Sequence, residues 1–351
     1  MSRLPASGAP RRELGVSLVE LMVALVIGLF LILGAVTVYT QSRSTYRTLD
    51  ATARVQEKAR YALDVLEVDI RAANYWGLNS RADYIDTSRN ADPERENLQV
   101  LDELAAVIDD CGADWAINLR EYVGGSNDDY SALEDCAPSV GDAREGADVL
   151  VVRHAGNEPV AGADSLRPDG LYIQTSRVRG TLFSTAVECD PSDEACVPLE
   201  YLPPVSETHE LAATGYFIST GSTGDAAQPS LRRKRLVNGA NGATMIEEEI
   251  MNGVEDLQVQ FGLDTDGNAD ANADLYVDPG DAALGGGTVV AVRIWLRVRA
   301  DERDFSFSDP RVYQYADMDE PAEISADDRR FRRVLVQKTI QLRNSRTYDQ
   351  T

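Results

Sequence analysis

The stretch Arg11–Val36, "RRELGVSLVELMVALVIGLFLILGAV", decides how the rest of the chain is read. No charged residue falls between Leu21 and Tyr39, and a helix needs about 20 mostly apolar residues to cross a bilayer. A cleaved secretory segment has a shorter apolar run followed by a small-residue cleavage site. Here the run passes through Gly34 and Ala35 into polar but helix-forming sequence. It therefore predicts an uncleaved single-pass anchor over about residues 16–39. Arg3, Arg11 and Arg12 would hold the N-terminus in the cytoplasm, with the bulk of the chain outside.

An anchor alone does not explain Glu20. A charge at the centre of a membrane helix costs about 2.5 to 3.5 kcal/mol, and such residues are functional candidates by default. Near the cytoplasmic end the carboxylate could also snorkel to water. The context favours function: a basic leader ends in Gly15, and Val16, Ser17, Leu18, Val19 and Glu20 lead into an unbroken apolar helix. That arrangement resembles the class III signal of type IV prepilins and pseudopilins. The resemblance implies cleavage by a prepilin peptidase after Gly15, N-methylation of Val16, and Glu20 as fifth residue of the mature chain. The family usually starts with Phe, and Val16 departs from it. Cleavage creates a cationic amine, and pairing Glu20 with such an amine in a helix bundle offsets the cost of burying the carboxylate. Glu20 is thus read as an assembly determinant.

The chain has 351 residues and a formal net charge of −24. Such acidity argues against general nucleic-acid affinity and for a soluble, self-repelling surface. Cys111, Cys136, Cys189 and Cys196 are an even number of cysteines behind an export signal, so disulfides are expected in an oxidising periplasm. Three connectivities are possible, and the sequence-local pairs Cys111–Cys136 and Cys189–Cys196 are the expectation. The rival, a zinc site, lacks any C-x-x-C spacing.

Helical periodicity continues past the anchor. Ala59, Leu63, Leu66, Ile70 and Ala73 form one stripe, with Arg60/Asp64 and Glu67/Arg71 as opposite charges at i and i+4. The helix is expected to span residues 16–77 and end near Gly77. Residues 79–110 read as an irregular excursion with short helical pieces. Strands follow in "ADVLVVRH", "GLYIQTS", "GYFIST", "DLQVQFGLD", "TVVAVRIWLRVRA" and "RVLVQKTIQLRN". Alternation places Val290, Val292, Ile294, Leu296 and Val298 on one face and Arg293, Trp295, Arg297 and Arg299 on the other. That pattern reads as antiparallel sheet covered on one side only. The expected fold class is α+β and pilin-like: a cytoplasmic leader over 1–15, a long N-terminal α-helix packed on an antiparallel β-sheet, and a periplasmic β-rich domain over 78–351.

"GVSLVELMVALVIGL", "ARYALDVLEVDIRAANYWG", "NGVEDLQVQFGLDTDGNAD", "VVAVRIWLRVRA" and "QLRN" together resemble the PilW family of type IV pilus minor pilins. Residues 80–238 carry no motif of this kind. The resemblance implies a low-copy subunit of the inner membrane and then the pilus. Its implied partners are other minor pilins, the major pilin, a large tip adhesin, the prepilin peptidase and the inner-membrane assembly platform. A J-type pseudopilin of type II secretion and a tip adhesin module are the alternatives.

Other motifs were weighed for chemistry. Asp264, Asp266, Asn268 and Asp270 alternate on a loop in the manner of calcium ligands. In an EF-hand register, however, Ala269 stands where glycine is required and Leu275 where the bidentate Glu belongs. An Asp/Asn turn explains the same composition. The basic run Arg232–Arg235 is more simply answered by carboxylates of its own domain than by DNA. His154 and His209 lie near no nucleophile pattern, and no Walker loop or nucleophile elbow is present, so no enzyme activity is expected. Trp76, Trp115 and Trp295 read as core or interface anchors.

Overall fold

The structure is a computed structural model that describes residues 15, 17–80, 82, 85–86, 108, 111, 113–161, 165–177, 180–184, 206–240, 242–266 and 272–345. The chain divides into two compact units, Met1–Ala53 and Arg54–Thr351. Helix α1, Leu18–Ala72, contributes to both. In the first unit its apolar side chains are exposed, Leu25, Phe30, Leu31 and Val38 among them. An exposed apolar surface of this kind suits lipid or other helices.

In the second unit α1 buries Val55, Ala59, Ala62, Leu63, Leu66 and Ile70. This stripe packs on a four-stranded antiparallel sheet, order β10-β9-β11-β12, formed by β9 (Val254–Asp264), β10 (Leu275–Val277), β11 (Thr288–Arg299) and β12 (Arg333–Gln341). Leu257, Val259, Phe261, Val292, Ile294, Leu296, Val298 and Ile340 supply the facing core. Small Ala59 and Ala62, both without solvent exposure, let the helix approach the sheet closely.

The helix ends at Ala72, before the Gly77 suggested by sequence. Asn74 takes a left-handed φ of 61°, a helix-ending conformation that Asn tolerates. Its side chain is held at both ends: Oδ1 accepts from Trp76 Nε1 at 2.7 Å, and Nδ2 donates to Asn344 O at 3.0 Å. Gly77, at φ 82°, serves instead as a crossing point, where an added Cβ would lie 2.8 Å from Thr175 Oγ1.

The arginine face of the four-stranded sheet is not open, contrary to the one-sided reading. Trp295 and Arg297 are buried, and Arg297 donates to Tyr315 Oη at 3.1 Å, in the strap of residues 300–332 that joins β11 to β12. A register shift opposite Arg297 and Val298 lets Glu255 join Asp256 on this side. Arg333 donates to both oxygens of Glu255, at 2.7 and 2.9 Å, and Arg297 approaches it at 3.3 Å. Neutralised in this way, guanidiniums can be roofed over.

Among the described residues a second, eight-stranded sheet has the path β1-β5-β4-β6-β3-β2, with β7 on β6 and β8 on β7. These are β1 (Ile85–Asp86), β2 (Val123–Ser126), β3 (Val149–Ala155), β4 (Leu171–Thr175), β5 (Gly180–Ser184), β6 (Glu207–Ser219), β7 (Ser230–Gly239) and β8 (Gly242–Asn252). All pairs are antiparallel except β1 with β5. Asp148 ties this sheet to the first: its carboxylate accepts from Asp128 N at 2.9 Å and Val259 N at 2.7 Å. The expected excursion over 79–110 lies almost wholly outside the described residues.

Candidate functional site

At the start of α1, Ser17 N donates to Glu20 Oε2 at 2.9 Å, while Val19 N donates to Ser17 Oγ at 3.3 Å. The "SLVE" sequence is thus a capping box, in which Ser17 caps the helix and Glu20 reaches back to the cap's own N–H. The signal was present in the sequence as S-x-x-E before an apolar run. Glu20 is also favoured here by the positive end of the helix dipole. It therefore has a partner within its own chain, one residue from Val16, which lies outside the described residues. A Cβ added at Gly15 would meet nothing within 4 Å, so packing gives no reason for glycine there.

Polar ties that the sequence did not reveal seat the second half of α1. Tyr216 Oη donates to Asp69 at 2.6 Å, Lys58 donates to Asn252 Oδ1 at 2.7 Å and pairs with Asp301, and Lys338 pairs with Glu67. The Lys338 hydrogen bond, against the effect of burial, holds Glu67 below the usual carboxylate range.

The basic run Arg232–Arg235 lies on β7, opposite Glu247, Glu248 and Glu249 of β8. Lys234 bonds Glu247 at 2.7 Å, Arg232 meets Glu249 at 3.1 Å, and Arg233 and Arg235 share Glu248 at 2.7 and 3.1 Å. Arg235 first, then Arg233, lowers the Glu248 pKa. Arg232 and Lys234 are buried, so the run is an internal ladder rather than an anion-binding patch.

Cys111 and Cys136 form a disulfide; Cys189 and Cys196 lie outside the described residues. It sits in a small core with Leu133, Val149, Val151 and Phe217. Both histidines are buried and bonded to carbonyls, His154 Nδ1 to Ala155 O and His209 Nδ1 to Gly156 O, each at 2.7 Å. Trp76 and Trp295 are buried, and Trp115 Nε1 donates to Cys111 O at 3.1 Å.

In the acidic loop, oxygens of Asp264 and Asp266 come together with Asp274, all within 4.8 Å of one another. Asn268 and Asp270 lie outside the described residues. Asp274 accepts from Thr265 N at 2.9 Å, Thr265 Oγ1 at 3.1 Å and Asp266 N at 3.3 Å.

Two family models match this chain. Residues 215–344 match Type IV Pilus-assembly protein W, and residues 10–36 match the prokaryotic N-terminal methylation motif. The first match begins inside the stretch that offered no motif to the eye. No curated protein matches the chain. A solved structure, the type IV-like pilin TTHA1219 from Thermus thermophilus, is similar at 12% identity with a TM-score of 0.28, covering 72% of this chain and 100% of that one. The family models agree with the resemblance to PilW read from the sequence, and helix α1 is long and apolar enough to cross a membrane.

Proposed function

We propose that this chain, with the PilW pattern over residues 215–344 and the methylation motif over 10–36, is a low-copy minor pilin that primes type IV pilus assembly from the tip. The observation that carries the reading is the union of both patterns on one helix-led chain. The helix Leu18–Ala72 is exposed and apolar in one unit and built into a β-domain core in the other. Other minor pilins and the major pilin are its proposed partners, with an adhesin at the same tip.

On this reading the prepilin peptidase cuts after Gly15 and methylates Val16, and the anchor holds the β domain in the periplasm until the assembly platform extracts it. Glu20 then pairs with an N-terminal amine in the bundle. The subunit works by shape and charge, without catalysis. The test is deletion of the gene with complementation by a tagged copy. Loss of surface pili, and recovery of trace tagged protein in sheared pili, is expected. Normal piliation in the deletion strain together with lost protein secretion would point to a J-type pseudopilin instead.

A further inference from the structure

β12 is an outer strand of the four-stranded sheet, and its pairing shows which backbone groups face away from that sheet. Just beyond its two ends, Leu342 N donates to Val290 O at 2.9 Å and Ala300 N donates to Arg332 O at 2.8 Å. No register shift interrupts β11 against β12, and along an antiparallel strand residues bonded to the partner alternate with residues turned the other way. The even-numbered residues of β12 therefore bond β11. Arg333, Leu335, Gln337, Thr339 and Gln341 turn their N–H and C=O outward. The strap reaches only the first of them, where Arg311 Nη2 donates to Arg333 O at 2.7 Å. Among the described residues nothing bonds the backbone of the other four, and the side chains of Gln337, Thr339 and Gln341 are exposed.

A long open edge is a template for another strand, and proteins commonly blunt it with short strands, bulges, charges or proline. The other outer strands among the described residues follow that rule. β1, β2 and β10 are two, four and three residues long. β8 is longer, but a register shift interrupts it, Glu247, Glu248 and Glu249 lie along it, and Asp169 O takes Ala243 N at its start. β12 runs nine residues without proline or register shift. Its two charges are committed inward, Arg333 to Glu255 and Lys338 to Glu67 of α1. Its apolar residues are left half-buried, Val334 and Val336 on the helix side and Leu335 on the other. Beside Arg311, Val312 is 72% exposed.

We propose that β12 is a docking edge that takes an extended strand from a different subunit of the same assembly. This rests on the minor-pilin reading above. Leu335, Gln337, Thr339 and Gln341 each present one donor and one acceptor in the plane of the sheet, an order that another backbone matches residue by residue. Apolar side chains of the incoming strand complete the burial of Val334 and Val336 on the helix side and of Leu335 on the other. A low-copy subunit has no second copy beside it, so the strand belongs to another protein.

The test complements the deletion strain with full-length variants and compares sheared pili with the membrane pool. Proline at position 337 removes an N–H that the fold does not use, so Gln337→Pro should melt close to the wild type in detergent micelles. In pili it should fall about tenfold or more, through a lost strand hydrogen bond and the clash of the ring. Gln337→Ala changes the side chain but keeps the N–H and should enter pili normally. If Gln337→Pro unfolds, Gln341→Pro at the last residue of the strand repeats the test under less strain. A folded proline variant that enters pili at the wild-type level overturns the proposal, as does equal loss of Gln337→Ala. Cross-linking of the purified wild-type chain should find a monomer. A dimer that Gln337→Pro dissolves would put a second copy on the edge and overturn the assigned partner. Absence of the wild-type chain itself from pili would instead refute the minor-pilin reading, and the docking edge with it.

Discussion

Replacing Glu20 separates the cap role that the structure shows from the assembly role proposed for the same carboxylate. Oε2 of Glu20 accepts the Ser17 N–H at 2.9 Å, so one role is to complete the helix cap. Glu20→Gln retains an oxygen for that bond, whereas Glu20→Ala leaves the N–H open. Loss of a cap interaction costs about 0.5 to 2 kcal/mol, or roughly 2- to 30-fold in any equilibrium it feeds. The proposed second role is to neutralise an amine inside the assembled bundle. Leaving one charge of such a pair buried alone costs about 3 to 5 kcal/mol, which is roughly two to nearly four orders of magnitude in incorporation. The charge therefore outweighs the cap. Glu20→Gln and Glu20→Ala should both be inserted and cleaved, and both should be nearly absent from pili. Immunoblots of sheared pili against membrane fractions, with the N-terminus of the membrane pool checked by mass spectrometry, measure this. If Glu20→Gln enters pili at the wild-type level while Glu20→Ala does not, the carboxylate serves only as a cap.

On the proposed processing, Gly15→Val should leave an uncleaved precursor in the membrane although no packing contact constrains that position; a mature N-terminus at Val16 would contradict this. Cys111→Ser opens a disulfide spanning a sequence separation of 25, which the chain-entropy relation values at about 3.5 kcal/mol. Urea melts of the oxidised wild type and the variant read that difference. Glu255→Gln strands Arg333 and Arg297 beneath the strap and should cost about 3 to 5 kcal/mol in the same melts. A loss below about 1 kcal/mol would mean the arginines reach water. Burial pushes the Asp148 carboxyl up to about 8 from an ordinary 3.8, with Asp317 and Asp128 adding to the rise against two backbone N–H donors. The native state thus keeps a proton that the unfolded chain gives up. This contribution to stability is complete below about pH 4 and is lost as pH climbs towards 8. Melts across that range should show a slope that Asp148→Asn flattens; an equal slope in the variant would assign it to other groups.

The legible parts of the fold were those in which apolar residues repeat. The stripe from Ala59 to Ala73 is wholly buried, and Val292, Ile294, Leu296 and Val298 share the helix-facing side of β11 as alternation required. Periodicity reports which apolar groups leave water, and for those positions it suffices. It says nothing of which polar groups leave water with them. Arg297 and Trp295 occupy the alternate positions that a half-solvated sheet would show to solvent, yet both are buried, Arg297 against Glu255, Asp256 and Tyr315. Likewise, the sheet led by β6 was not readable as one sheet, because its strands carry few clean alternations and pair across long separations.

Charge was legible where the partner is near in sequence and illegible where it is far. Ser17 and Glu20 form a local pair whose S-x-x-E spacing carries the motif, although Glu20 drew notice only as an assembly determinant. Arg232 and Glu247 lie on neighbouring strands, so sequence could say that the basic run answers carboxylates of its own domain but not which ones. The buried arginines make the same point at longer range. Arg297 on β11 and Arg333 on β12 both answer Glu255 of β9, so alternation along each strand could not show that these cations leave water, and only the paired sheet supplies the carboxylate that makes their burial tolerable.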